Sequence, residues 1–203
     1  MKYFFINICI IIISYSTYGQ KIQIVPKKNI NDTNIKTLKV ITNKEEFNKH
    51  FADSLTYKEL MPYVQIPGTK ISIAPPKNFK ISEQIRGFVH LATTTSITCS
   101  EIKGFHYTTV VENITPETLL KQNANLKSIE DVQTSSGKPA KLILLGFSLP
   151  SKDTSKKETP FERLMLFTGD LDNTIWVSAT YPEAVKPFVF EMVKKSLLSV
   201  KIE

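Results

Sequence analysis

The residues predict an α+β fold, one antiparallel sheet whose apolar surfaces are covered by helices. Three observations carry this. Runs of β-branched and aromatic residues follow one another across short turns rich in Gly, Pro, Ser and Asn, the spacing of hairpins. Past Ile66 only two segments carry helix signals, one in the middle of the chain and one at its end. No strand–helix–strand alternation of the parallel type appears, which separates the class from α/β.

The chain opens "MKYFFINICIIIISYSTYGQ": one Lys, an apolar run from Tyr3 to Ile13, then a polar stretch ending at the small residue Gly19. That is the layout of a secretory leader, expected over residues 1–19. The run falls short of the roughly 20 apolar residues a bilayer demands, so no transmembrane anchor is expected after processing. Loss of the leader removes only Lys2, leaving twenty-five basic side chains against nineteen acidic ones. A secreted or periplasmic protein with that balance suits acidic surfaces. Nucleic acid is not an expected partner: the lysines are scattered and only Arg86 and Arg163 are arginines. Cys99 is the one cysteine left, so no internal disulfide forms and the core must hold the fold.

Residues 20–65 form a Lys- and Asn-rich extension in which Thr42 and Glu45 mark a short helix from about Asn43. A domain over 66–203 follows. "TKISIAPP" alternates Ile71 and Ile73 and halts at Pro75 and Pro76, a strand with a hard end. "GFVHLATTTSITCSEIKGFHYTTVVENI" reads as two or three strands. "ITPETLLKQNANL" opens a helix, with Thr115 as cap, Pro116 in the first turn and Glu117 near the positive end of the dipole. A hairpin turning at Ser136–Gly137, a polar loop over 151–160 and two more strands come next. Around "KPFVFEMVKKSLLSVKIE" the apolar positions Val185, Phe188, Val189, Met192, Val193, Leu197 and Val200 step by three and four, an amphipathic helix.

The opening strand that ends in prolines, the pair Gly87–Phe88, the "GKPA" strand entry at Gly137 to Ala140, the Gly-Asp hairpin and the closing "LLSV" together resemble the PsbP-like superfamily. That group includes the PsbP proteins, the Ran-binding Mog proteins and exported bacterial relatives such as DcrB. The resemblance spans about residues 66–203 and implies an α/β/α sandwich serving as an accessory or binding module. It carries no catalytic signature, and no cofactor or metal set transfers with it.

Candidate chemistry is sparse. "GDLDNT" puts Asp170, Asp172 and Asn173 close together, but a calcium loop needs a following glycine and a late bidentate Glu. Here Ile175, Trp176 and Val177 follow, so a hairpin turn is expected. A thiol-dependent hydrolase would draw on Cys99 with His90 or His106. A zinc site would need His90, Cys99, Glu101 and His106 to converge. At strand spacing behind Ile97, Cys99 reads instead as a small core hydrophobe. Trp176, Ser178 and Thr180 share one side of their strand, and a large aromatic among hydroxyls marks a candidate ligand or partner surface. The expectation is therefore an exported non-catalytic module of the cell envelope, bound to an envelope protein or an acidic polymer. The alternatives are a small-molecule or lipid carrier with a pocket between sheet and helix, and the Cys99 hydrolase.

Overall fold

The computed structural model describes residues 59–149 and 158–202. The expected leader, the helix from Asn43 and most of the polar loop lie outside the described residues. The chain enters through β1 (Val64–Gln65) and β2 (Ile71–Ile73), then β3 (Lys80–Ser82), β4 (Gly87–His90) and β5 (Thr95–Lys103). It crosses as two short helices, α1 (Tyr107–Glu112) and α2 (Pro116–Leu120). Strands β6 (Ala124–Gln133), β7 (Pro139–Leu149), β8 (Thr159–Asp170) and β9 (Asn173–Pro182) form a meander, and α3 (Lys186–Leu198) leads to β10 (Lys201–Ile202).

Seven strands make the main sheet in the order β3-β4-β5-β9-β8-β7-β6, and β1-β2-β10 form a small second sheet. Every described pairing is antiparallel. Register sorts the side chains into two faces. Leu142, Leu166, Val177 and Cys99 stand in one row and belong to the core that α3 closes with Val189, Val193 and Leu197. One position along, Ile143, Met165, Ser178 and Thr98 form the row of the opposite face. There α1 lies across β7, β8 and β9 and buries Val110 and Val111. Helices thus cover both faces, the sandwich expected. A thirteen-residue helix is marginal alone in water. The fully buried Val189, Val193 and Leu197 each contribute about 1.5–3 kcal/mol on burial, which is what holds α3 in place.

One segment departs from the sequence reading. "HYTTVVE", dense in β-branched residues, is helical and not a strand. Each Val or Thr costs well under about 1 kcal/mol in a helix, less than burying Val110 and Val111 returns. Topology decides the rest: β5 and β6 are separated by three strands, so the link must cross the face over β9, β8 and β7. His106 begins this helix, its Nδ1 accepting from the Thr108 backbone N–H at 3.4 Å. The second helix starts as expected at Thr115, where Thr115 and Thr118 cap each other reciprocally, but it is only five residues long.

"GDLDNT" is a two-residue hairpin turn, Asp170 pairing with Asn173. Gly169 takes φ +151°, and a Cβ there would lie 1.9 Å from the Asn173 carbonyl oxygen, so only glycine fits.

Leu166 is fully buried and Leu171, at the turn tip, is 81% exposed. Leu166→Ala is expected to cost about 3 kcal/mol in urea unfolding and Leu171→Ala less than about 0.5 kcal/mol. Equal midpoints for the two variants would contradict this core.

Candidate functional site

Trp176, Ser178 and Thr180 lie on the α1 side of β9, as their alternation requires. The Trp176 ring stacks on Phe167 with centroids 5.6 Å apart and planes 14° from parallel. Its Nε1 is enclosed without a hydrogen-bond partner. Ser178 is buried, its Oγ 3.0 Å from Thr98 Oγ1 across the β5–β9 ladder. Thr180 is half-buried, and its Oγ1 accepts from Arg163 Nε at 3.1 Å. Ser96 faces Thr180 on the other side. The Arg163 guanidinium in turn lies 5.3 Å from the centroid of Phe147, which stacks on Phe161 at 5.9 Å. The three predicted residues therefore belong to a longer patch running from Trp176 to Phe161. Arg163 and its two phenylalanines are the part that sequence reasoning missed. The available signal was a lone arginine inside the apolar run of β8.

His90, Cys99 and His106 do not come together. Cys99 is buried on the α3 side of β5, and burial, with the nearby Glu101 charge adding to it, pushes its thiol up to about 12. His90 pairs with Thr95, four residues from Cys99, a separation of about 13 Å along a strand. Its ring stacks on Phe79 and its Nδ1 lies 2.7 Å from Thr93 Oγ1, while burial lowers its pKa. His106 starts α1 and packs on Tyr107. No group of three or more His, Cys, Asp or Glu suited to a metal exists among the described residues.

A second constellation was also illegible in the sequence. Glu162 is fully buried on the α3 side of β8. Its Oε1 accepts from Lys127 Nζ at 2.6 Å and from Lys186 Nζ at 2.9 Å, and its Oε2 from Tyr181 Oη at 3.1 Å. Lys127 also reaches Glu183 at 2.9 Å. Two backbone devices allow this. The β6–β7 register shifts between Leu126 and Ser128, so Lys127 is the extra residue of a bulge and is re-aimed. Gly146, opposite Glu162, leaves room for it: a Cβ there would lie 2.7 Å from Lys127 Cε. Burial acts to raise the Glu162 carboxyl, but the hydrogen bonds from Lys127, Lys186 and Tyr181 outweigh it and hold the group below the usual carboxylate range. The Glu162 hydrogen bond is the main cause that raises Lys127. Burial, reinforced by the Glu162 charge, raises Tyr181. All four charged groups are satisfied within the cluster, so it fastens the start of α3 to strand β6.

Surface clefts among the described residues include two. One, of about 660 Å³, lies between the 65–70 turn and Glu101, Lys103 and Asn173. The other, of about 610 Å³, is lined by Asn125, Lys127, Gly146, Phe147, Phe161 and Glu183 among others. Neither is lined by Val189, Val193 or Leu197 of α3, which are buried in the core.

No protein-family model matches the sequence, and no curated protein matches it. Solved structures do. A crystal structure from Bacteroides thetaiotaomicron VPI-5482 is similar over 71% of this chain at 15% identity, with a TM-score of 0.46, and this chain covers about half of it, 49%. The Saccharomyces cerevisiae Ran-binding protein Mog1p is similar over 71% of this chain and 96% of its own, at 12% identity and a TM-score of 0.47. The solution structure of cyanobacterial PsbP (CyanoP) from Synechocystis sp. PCC 6803 is similar over 71% of this chain and 93% of its own, at 13% identity and a TM-score of 0.47. The α+β fold read from the sequence, an antiparallel sheet with helices on its faces, is the one described above.

Because the Glu162 pKa is depressed in the folded chain, its contribution to stability is present above the unfolded carboxyl value, about 4.3, and is lost as pH falls through the folded one. Glu162→Gln is expected to cost roughly 2–4 kcal/mol at pH 7, and its deficit against the unaltered chain should shrink steadily towards pH 3. A deficit independent of pH would show that the carboxylate charge is not what matters. Cys99, raised from 9.0 to about 12, should carry about a thousandfold less thiolate near neutral pH than an ordinary thiol. Mass-resolved alkylation of the Cys99 peptide is expected only on unfolding, and rapid labelling of the native chain would contradict its burial.

Proposed function

We propose that this chain is an exported, non-catalytic accessory or binding module of the cell envelope. Residues 1–19 are its leader, 20–65 an extension, and 66–203 the binding domain. The partner surface is the patch of Trp176, Ser178 and Thr180 on the α1 side of the sheet. One observation carries this: side chains suited to recognition converge there, whereas the nucleophile and bases needed for hydrolysis are buried or separated. A stacked aromatic pair, a row of hydroxyls and a fixed guanidinium share one face, with Trp176, Thr180 and Arg163 half-buried, the composition of binding patches. Trp176 and Arg163 are residue types that dominate such contacts. The carrier reading finds less support, since the side chains between sheet and α3 fill that interface.

The test is capture from a native envelope extract by the immobilised processed protein. A discrete protein retained by the unaltered chain is expected to fall away with Trp176→Ala and Thr180→Arg, and to persist with Leu171→Ala, which alters an exposed apolar residue at the far turn. Identical retention by all variants would remove the surface. Specific substrate turnover lost on Cys99→Ala would overturn the non-catalytic reading.

A further inference from the structure

We propose that Arg163 is the anchor for a single carboxylate, an Asp or Glu side chain presented by an acidic peptide segment of the partner. The inference rests on the binding-module reading above and names the chemistry recognised there.

Among the described residues Arg163 is a held cation without a counter-charge. Nε is committed to Thr180 Oγ1 at 3.1 Å, and the guanidinium is set over Phe147 at 5.3 Å, so its plane is fixed on two sides. No ion pair to Arg163 occurs among the described residues. Its terminal N–H groups have no acceptor among the described residues. Burial is the one cause acting on its pKa, and it acts downwards, as for a cation removed from water with no acid beside it. A guanidinium fixed through Nε presents its remaining donors as a planar fork, which matches a carboxylate with two parallel hydrogen bonds.

The surroundings extend the match. The Thr180 hydroxyl, accepting from Nε, keeps its own proton to donate, and Ser96 stands opposite it in register on the same face. Half-buried Phe147 and Phe161 form an apolar platform on the other side, suited to a neighbouring apolar side chain. Lys141, on this face, pairs with Asp131 at 2.7 Å. Lys127 and Lys186 are tied to Glu162 on the opposite face. The next cation in the register row of Arg163 is Lys80, four strands away or roughly 19 Å. A polyanion such as a uronic-acid polymer gains its affinity from many closely spaced charges, which the described residues of this face do not offer. One carboxylate with an apolar neighbour fits it better.

The chain contains two arginines, so the guanidinium Nε–H region of a ¹⁵N spectrum of the folded protein holds two side-chain signals, assigned with Arg163→Lys. Titration with the acetylated and amidated tripeptide Gly-Glu-Phe is expected to move the Arg163 signal and leave Arg86 in place. The Gly-Gln-Phe analogue should bind about tenfold more weakly or worse, the factor that a charge-assisted pair supplies. Arg163→Lys should weaken the Glu peptide several-fold while amide chemical shifts elsewhere report an intact fold. Equal binding of the Glu and Gln peptides in the unaltered protein, which needs no variant, would overturn the proposal. So would an unmoved Arg163 signal. Inorganic phosphate matching the Glu peptide would make this a general anion site and not a carboxylate anchor. Polygalacturonate binding more tightly than the peptide, and losing affinity on Lys80→Ala, would assign the face to an acidic polymer. Capture of a partner that depends on Trp176, with no preference for the Glu peptide, would leave the module standing and remove only the anchor.

Discussion

Strands β7 and β8 are apolar at consecutive positions, Leu142 to Leu145 and Leu164 to Phe167, and every one of these side chains is buried. An antiparallel strand with one face in water alternates apolar with polar residues, and these do not. Both faces of the sheet centre must therefore be withdrawn from water. A parallel sheet would obtain its cover from a helix after every strand, but a meander of hairpins supplies none. The chain meets the demand with two excursions, the β5–β6 link over one face and the closing helix over the other. The amphipathic stripe of α3, the helical form of a β-branched segment and the order of strands all answer to this one constraint.

The closing helix carries a difficulty of its own. Lys186 is its first residue, a cation at the end where the helix dipole is already positive. Glu162 resolves this, because its carboxylate lies within 2.9 Å of Lys186 Nζ and beside that same terminus. A carboxylate with no exposed surface would itself be costly by several kcal/mol if unpaired. The bulge at Lys127, the glycine at 146 and the Tyr181 hydroxyl supply its remaining partners. The network is better understood as fixing where α3 begins than as a net source of stability, since buried pairs roughly break even against apolar packing.

Much of the fold was legible because its signals are local. The Pro75–Pro76 stop, the Thr115 cap, the Gly169 turn and the three-and-four spacing of Val189, Val193 and Leu197 each act through neighbouring residues, and each appears in place. The α1 segment was misread because its state is set by strand order, which no window of eight residues contains. The candidate site divides in the same way. Trp176, Ser178 and Thr180 are found by counting along one strand. Arg163 joins them only through β8–β9 register, and Glu162 meets Lys127 only through a bulge 35 residues away. The Cys99–His90 pair does not form because strand register, which is not local either, sets the two four residues apart.

The two covers are unequal, and the difference locates the patch. Thirteen residues make α3 about 20 Å long, whereas six give α1 about 9 Å. The four strands from β7 to β5 span roughly 14 Å between their outer axes, and β5, β8 and β9 each run nine residues or more. Among the described residues one short helix crosses that area and does not reach its corner. The composition changes to match. Where α1 lies the residues are Ile143 and Met165, both fully buried, and towards the far end of β5 and β9 they become Ser96, Thr98 and Thr180. A corner exposed merely for want of helix would be satisfied by hydroxyls alone. Arg163, half-buried, stacked and held by Thr180, exceeds that requirement: a solvated lysine would keep the corner soluble with no desolvation. Two aromatic rings and a threonine fix one guanidinium in place on this face.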